Sequence, residues 1–139
     1  MTKHILKHVF CCILICSSIS LSYANNTQML TNKVSVAGQM NAAKFSQLMR
    51  QGFKSVIVNR PDNEAGNEVT VLQLRGIAEK SHVSVVYQPV QSGKISQTDV
   101  KEFAKYYNEL PKPILMICRR GSRSTSLFNQ AKAQGLLNE

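Results

Sequence analysis

Beyond residue 24 this sequence has one cysteine, Cys118, and one histidine, His82. A lone thiol cannot close an internal disulfide, and one cysteine with one histidine falls short of the ligand set that a metal centre needs. The chain also lacks an apolar run near the roughly 20 residues that span a bilayer, an internal repeat or a low-complexity tract. Its basic residues are scattered and nowhere interleaved with aromatics, which argues against a nucleic-acid partner. Length is sufficient for one core: 139 residues at 43% hydrophobic content make a single domain and not two.

At the N-terminus Lys3 and Lys7 precede the apolar run 9–16, which is followed by the small-residue pattern Ser22-Tyr23-Ala24. That order predicts a secretory signal peptide over residues 1–24, cleaved after Ala24, and a periplasmic or secreted domain with no stable membrane anchor. Cys16 follows Ile15 and Cys12 follows Cys11, so neither has the small preceding residue that a lipoprotein signal requires. Cleavage removes Lys3 and Lys7, which lowers the formal net charge from +9 to +7 and still favours anionic partners. It also removes Cys11, Cys12 and Cys16. The remaining thiol then faces an oxidising compartment, which asks for a functional reason; burial as a small hydrophobe is the plain alternative.

Residues 25–32 are polar with little periodicity and read as a flexible lead to a single domain over 33–139. Val34 and Val36 suggest a first strand, and Asn41 caps a helix from Ala42 to Gln51 that Gly52 closes. Val56-Ile57-Val58 is apolar on both faces, as a buried strand requires, and Arg60-Pro61-Asp62-Asn63 stops it. Helical spacing of Val71, Leu74, Ile77 and Ala78 marks a helix within 67–80, and Val83 to Tyr87 a further strand. Thr98 or Ser96 caps a third helix running to Glu109, with Val100, Phe103, Ala104 and Tyr107 inward. Ile114 to Ile117 is the most apolar strand, and a last helix runs from Ser124 to Gln134. The alternation predicts an α/β fold: a mainly parallel sheet of four to five strands with helices on both faces. In such sheets ligands bind at the carboxyl ends of the strands, where Cys118, Asp62 with Arg60, and the 88–95 loop all fall.

The segment Cys118-Arg119-Arg120-Gly121-Ser122-Arg123-Ser124 joins the apolar strand to the last helix. Successive backbone N–H groups in such a loop form an anion-binding nest, and the helix dipole adds positive potential to the same space. Both favour a sulfur anion at Cys118. Arg119, Arg120, Ser122 and Ser124 belong to this loop, Gly121 lets its backbone close, and Arg123 offers a forked donor set for an oxyanion. Asp62 is the nearest candidate acid, with Asp99 the other. The plain alternatives are a turn role for Asp62 and a first-turn helix role for Asp99. Arg60 either lines the site or pairs with Asp62 or Glu64. His82 precedes a strand at the opposite end, which leaves no partner for a Cys-His pair.

The segments Lys54-Ser-Val-Ile-Val-Asn-Arg-Pro-Asp62 and Cys118-Arg-Arg-Gly-Ser-Arg-Ser124 resemble the phosphatase-like domain of beta-lactamase hydrolase-like proteins, also described as a sulfurtransferase family. The resemblance runs from about Lys33 to Gln130. It implies a fold like the tyrosine and dual-specificity phosphatases, with the cysteine as nucleophile. Those enzymes separate cysteine and arginine by five residues, usually place histidine before the cysteine, and carry an aspartate on the loop after the preceding strand. Here four residues intervene, Ile117 precedes the cysteine, and Gln88-Pro89-Val90-Gln91-Ser92-Gly93 has no carboxylate.

A six-member loop is the size that rhodanese-like sulfurtransferases use. The first expectation is therefore a sulfurtransferase carrying a persulfide on Cys118, fed by a small anionic sulfur donor and emptied by a thiol acceptor or reductant. The alternative is a phosphatase-like hydrolase acting on a phosphorylated substrate through phosphocysteine, with Arg123 clamping the oxygens and water or Asp62 as acid. The third is a non-catalytic anion-binding or redox-partner module. None of the three calls for a cofactor or a metal.

Overall fold

The computed structural model describes residues 27–139. The predicted leader, with Cys11, Cys12, Cys16 and the cleavage after Ala24, lies outside the described residues. The elements follow as β1 (Thr27–Thr31), β2 (Val34–Ala37), α1 (Ala42–Leu48), β3 (Ser55–Val58), α2 (Val71–Glu79), β4 (Ser84–Tyr87), α3 (Gln97–Glu109), β5 (Ile114–Ile117) and α4 (Ser122–Ala133). They form one sheet in the order β1-β2-β5-β3-β4, parallel throughout except for β1 against β2.

The central strand explains the layering. Every residue of β5 is buried, and because successive side chains point to opposite faces, Ile114 and Met116 enter one core while Leu115 and Ile117 enter another. On the first face Val34, Val36 and Ile57 meet Val100, Phe103 and Tyr107 of α3 and Leu127 and Phe128 of α4. On the second, Val56 and Val58 meet Phe45 and Leu48 of α1 and Val71, Leu74 and Ala78 of α2. Burial of each such side chain contributes about 1.5–3 kcal/mol. The α/β sheet with two helices on each face is as expected.

Helix starts follow the capping chemistry. The Asn41 side chain accepts from Lys44 N–H at 2.9 Å, and Thr70 with Gln73 and Ser96 with Asp99 form reciprocal capping boxes on α2 and α3. Ser96 rather than Thr98 is therefore the α3 cap, and the Asp99 carboxylate serves the helix start. Boundaries differ at three places. The first helix ends at Leu48, and Gly52, at φ +92°, reverses the chain. The second begins only at Val71, because Asn67 turns its amide to the Asp62 and Val69 carbonyls. The last begins at Ser122, two residues before the expected start.

Residues 27–31 are not a flexible lead. They pair antiparallel with β2 through backbone groups, from Thr27 opposite Ala37 to Thr31 opposite Val34 with a register shift between Met29 and Thr31, around a turn where Lys33 N–H donates to Thr31 Oγ1 at 3.1 Å. Backbone pairing at an edge needs no continuous apolar pattern. Leu30 packs on the core while Met29 stands 71% exposed.

Candidate active site

Cys118 follows β5 at its carboxyl end, between β2 and β3. Its N–H donates to the Ala37 carbonyl at 3.2 Å, which extends the ladder by one residue before the chain turns. Gly121 makes that turn at φ +88°, a backbone conformation open chiefly to glycine. There its N–H donates to Cys118 Sγ at 3.0 Å. Gly121 is also the N-cap of α4 and supplies no side-chain cap, unlike the three other helix starts. The first intrahelical donor is Thr125, bonded to the Gly121 carbonyl. The amides of Ser122, Arg123 and Ser124 precede it, and they face the end of the helix where positive potential collects.

The loop is clamped from both neighbouring strands. On the β2 side Gln39 N–H donates to the Arg119 carbonyl at 2.9 Å, and a side chain at Gly38 would place its Cβ 3.0 Å from that same oxygen. On the β3 side Asn59 is fully buried. Its N–H donates to the Ile117 carbonyl at 2.7 Å, its Nδ2 to the Gln88 carbonyl at 3.2 Å, and its Oδ1 accepts from Ser124 Oγ at 2.8 Å. Ser124 ends the expected anion-binding loop, and its hydroxyl is a fastener inside the fold.

A cavity of about 170 Å³ opens over the loop, lined by Ser92, Cys118, Arg119, Arg120, Ser122 and Arg123. The thiol is only 1% exposed yet lies in that lining, so its burial is that of a cavity floor. The rest of the lining is hydroxyls and guanidinium groups, with no carboxylate and no histidine among the described residues.

Arg123 does not present a free fork. Its Nη1 donates to the Val90 and Asn59 carbonyls at 2.9 and 3.4 Å, and its Nη2 to both Glu64 oxygens at 3.1 and 2.9 Å. The one N–H left without a partner is Nε, which is buried. The expected two-pronged clamp is thus largely engaged within the fold, because both Nη groups hold the loop to the chain beyond β3 and β4 and to Glu64.

Arg60, by contrast, does not line this cavity. It is 3% exposed, and its donors go to Glu64 at 3.1 Å, Gln39 at 2.6 Å and the Ala65 carbonyl at 2.9 Å. Asp62 is likewise committed elsewhere: Oδ1 accepts from Val71 N–H at 2.8 Å at the start of α2, and the Asp62 N–H donates to Tyr87 Oη at 2.9 Å. The candidate acid is a helix cap and a turn anchor. Glu64, which grips both arginines, was foreseen only as a partner for Arg60. Its bond to Arg123 spans 59 positions and leaves no local sequence signal. Asn59 was missed for the same reason.

Among the described residues no group of three or more histidine, cysteine, aspartate or glutamate side chains could hold a metal ion, and no helix is long and apolar enough to cross a membrane.

A cysteine under a helix start, at the carboxyl end of a central parallel strand, is the placement that the two resembling segments imply. The phosphatase-like domain family of beta-lactamase hydrolase-like proteins matches residues 26–135. The chain belongs to this family. A beta-lactamase hydrolase-like protein from Agrobacterium fabrum is 29% identical over 99 residues, covering 71% of this chain and 23% of that protein. The chain therefore spans about a quarter of the length of the curated relatives it matches. Among solved structures, a candidate phosphatase from Neisseria meningitidis superposes with a TM-score of 0.70 at 28% identity, over 76% of this chain and 75% of that one. Pseudomonas aeruginosa TpbA, solved with phosphotyrosine, superposes at 0.54 and 18% identity over 76% and 60%, a likeness of fold. The phosphatase-like fold expected from the sequence is the fold of this family member.

Proposed function

We propose that this domain is a cysteine-dependent phosphatase acting on phosphorylated substrates that an exported protein meets. The observation that carries the proposal is the placement of Cys118 Sγ on the floor of an arginine-rimmed cavity beneath the uncapped start of α4. The Cys118 sulfur attacks phosphorus, and the S–P bond forms as the bond to the leaving oxygen breaks and that oxygen keeps the electron pair. Water then attacks the phosphocysteine, orthophosphate departs, and the sulfur anion is restored. The Arg123 Nε–H and the first amides of α4 are the donors available to the phosphoryl oxygens. Of the two readings with turnover, phosphoryl transfer draws more support, because the family and the superposing folds are phosphatase-like.

Sulfur transfer through a Cys118 persulfide is the second reading, favoured by one feature. The loop from Cys118 to Arg123 has six members, and its cavity has no carboxylate or histidine among the described residues to act as a general acid, which a persulfide does not need. The two part in a paired assay. The phosphatase reading expects purified protein to turn over p-nitrophenyl phosphate, Cys118→Ser to lose that turnover, and thiosulfate to leave the intact mass unchanged. One added sulfur after thiosulfate, with no aryl phosphate turnover, would replace the first reading by the second. Inactivity in both, with oxyanions still raising the melting temperature, would leave an anion-binding module.

A further inference from the structure

A larger hollow adjoins the cavity over Cys118. Arg120 and Ser122 line both that cavity and this larger groove of about 660 Å³, which runs along α4 past Ser126, Asn129 and Gln130. Arg120 therefore stands at the junction, one step outward from the sulfur. Its backbone is fixed by the bridge to Gly38, and its side chain is exposed, with no hydrogen bond or ion pair to any described residue. Neither cavity nor groove has a carboxylate or a histidine in its lining. Among the described residues, the site thus holds a free guanidinium where a leaving group would depart and no carboxylate or imidazole to protonate that group.

From this we infer that the substrate is a phosphoanhydride, attacked at its terminal phosphorus, with the departing phosphate received by Arg120 and the rest of the molecule lying in the groove along α4. The inference rests on the phosphatase reading and narrows its substrate class. An alkyl alkoxide leaves poorly without an acid, and general acids supply about 10²–10⁴-fold in such steps. A phosphate leaving group is weakly basic. It departs as an anion, keeping the electron pair of the broken P–O bond, and a guanidinium stabilises that charge without proton transfer. The S–P bond forms as the anhydride P–O bond breaks, and water completes the hydrolysis to two phosphates.

The test compares inorganic pyrophosphate, β-glycerophosphate and p-nitrophenyl phosphate on wild type, Arg120→Ala and Arg120→Lys. Pyrophosphate is expected to exceed β-glycerophosphate in kcat/KM by about 10²-fold, the size of a missing acid. Arg120→Ala is expected to lower the ratio of pyrophosphate to p-nitrophenyl phosphate turnover by about tenfold, as for one lost charged hydrogen bond, with partial recovery in Arg120→Lys. Turnover of p-nitrophenyl phosphate with β-glycerophosphate as good as pyrophosphate, or with both substrates falling equally in Arg120→Ala, overturns the anhydride inference alone. No turnover of any of the three overturns it together with the phosphatase reading.

Discussion

Two loops leave the carboxyl ends of adjacent strands and treat their charges in opposite ways. After β3, the groups of Asn59, Arg60, Asp62 and Glu64 are spent on the protein itself, on carbonyls, helix starts and each other. After β5, Cys118 accepts one amide, and the side chains of Arg119 and Arg120 have no protein partner among the described residues. Arg123 crosses between the two, with Nη1 on the Asn59 and Val90 carbonyls, Nη2 on Glu64 and Nε without a partner. A reactive loop kept open to ligand needs a neighbour that is closed, because only a rigid support holds donors at a geometry the loop itself does not enforce.

The contrast can be broken from either side. Cys118→Ser is expected to lower aryl phosphate turnover by about 10³-fold or more, as loss of a nucleophile does, with the urea midpoint unchanged. A large stability loss would put the thiol among the supports. Glu64→Gln acts in reverse. It strands Arg60 and Arg123, which are 3% and 6% exposed at their side chains, and loss of a buried charge partner destabilises by about 3 kcal/mol. Urea unfolding checks this, and an unchanged midpoint would show that the carbonyls alone hold the arginines.

Ser124→Ala leaves Asn59 Oδ1 without its donor and is expected to destabilise by about 1–2 kcal/mol, the range for an unsatisfied buried acceptor. An effect confined to turnover would instead return the hydroxyl to the ligand side.

The smallest expected effect lies away from both loops, in alkali. Burial first, and the Glu139 charge second, raise the Tyr107 pKa above 10.0. The folded state then keeps its proton longer than the unfolded chain, so this contribution is complete below pH 10 and is lost as pH rises through the folded value. Lys112, whose ammonium lies 4.7 Å over the Tyr107 ring, is shifted down from 10.5 by burial and by Lys33. Its unfolded form binds protons longer, so stability rises with pH across that interval and partly offsets the tyrosine. Melting curves near pH 9 and 11 should differ little in wild type, and Lys112→Met should fall more steeply between them.

The open loop was legible in the sequence and the closed one was not, for a physical reason. Cys118 to Ser124 is contiguous: an apolar strand, a thiol, a glycine and a helix announce their geometry locally. The supports are joined across the fold, Arg123 to Glu64 and Ser124 to Asn59 over 59 and 65 positions, and no periodicity encodes such pairs. Arg60 and Asp62 looked like site residues because they sit at the correct end of the sheet. Position told where they were, and only hydrogen-bond partners told what they do. β1 escaped notice because an edge strand held by backbone pairing carries few apolar residues.

The central claim is that Cys118 takes the phosphoryl group on its own sulfur. Rapid acid quench of wild type with p-nitrophenyl phosphate, followed by intact-mass and peptide mapping, tests it directly. One phosphoryl group on the peptide containing Cys118, formed within the first turnover and absent in Cys118→Ser, is the expected result. Turnover with that peptide unmodified, or with the phosphoryl group on another residue, would contradict the account.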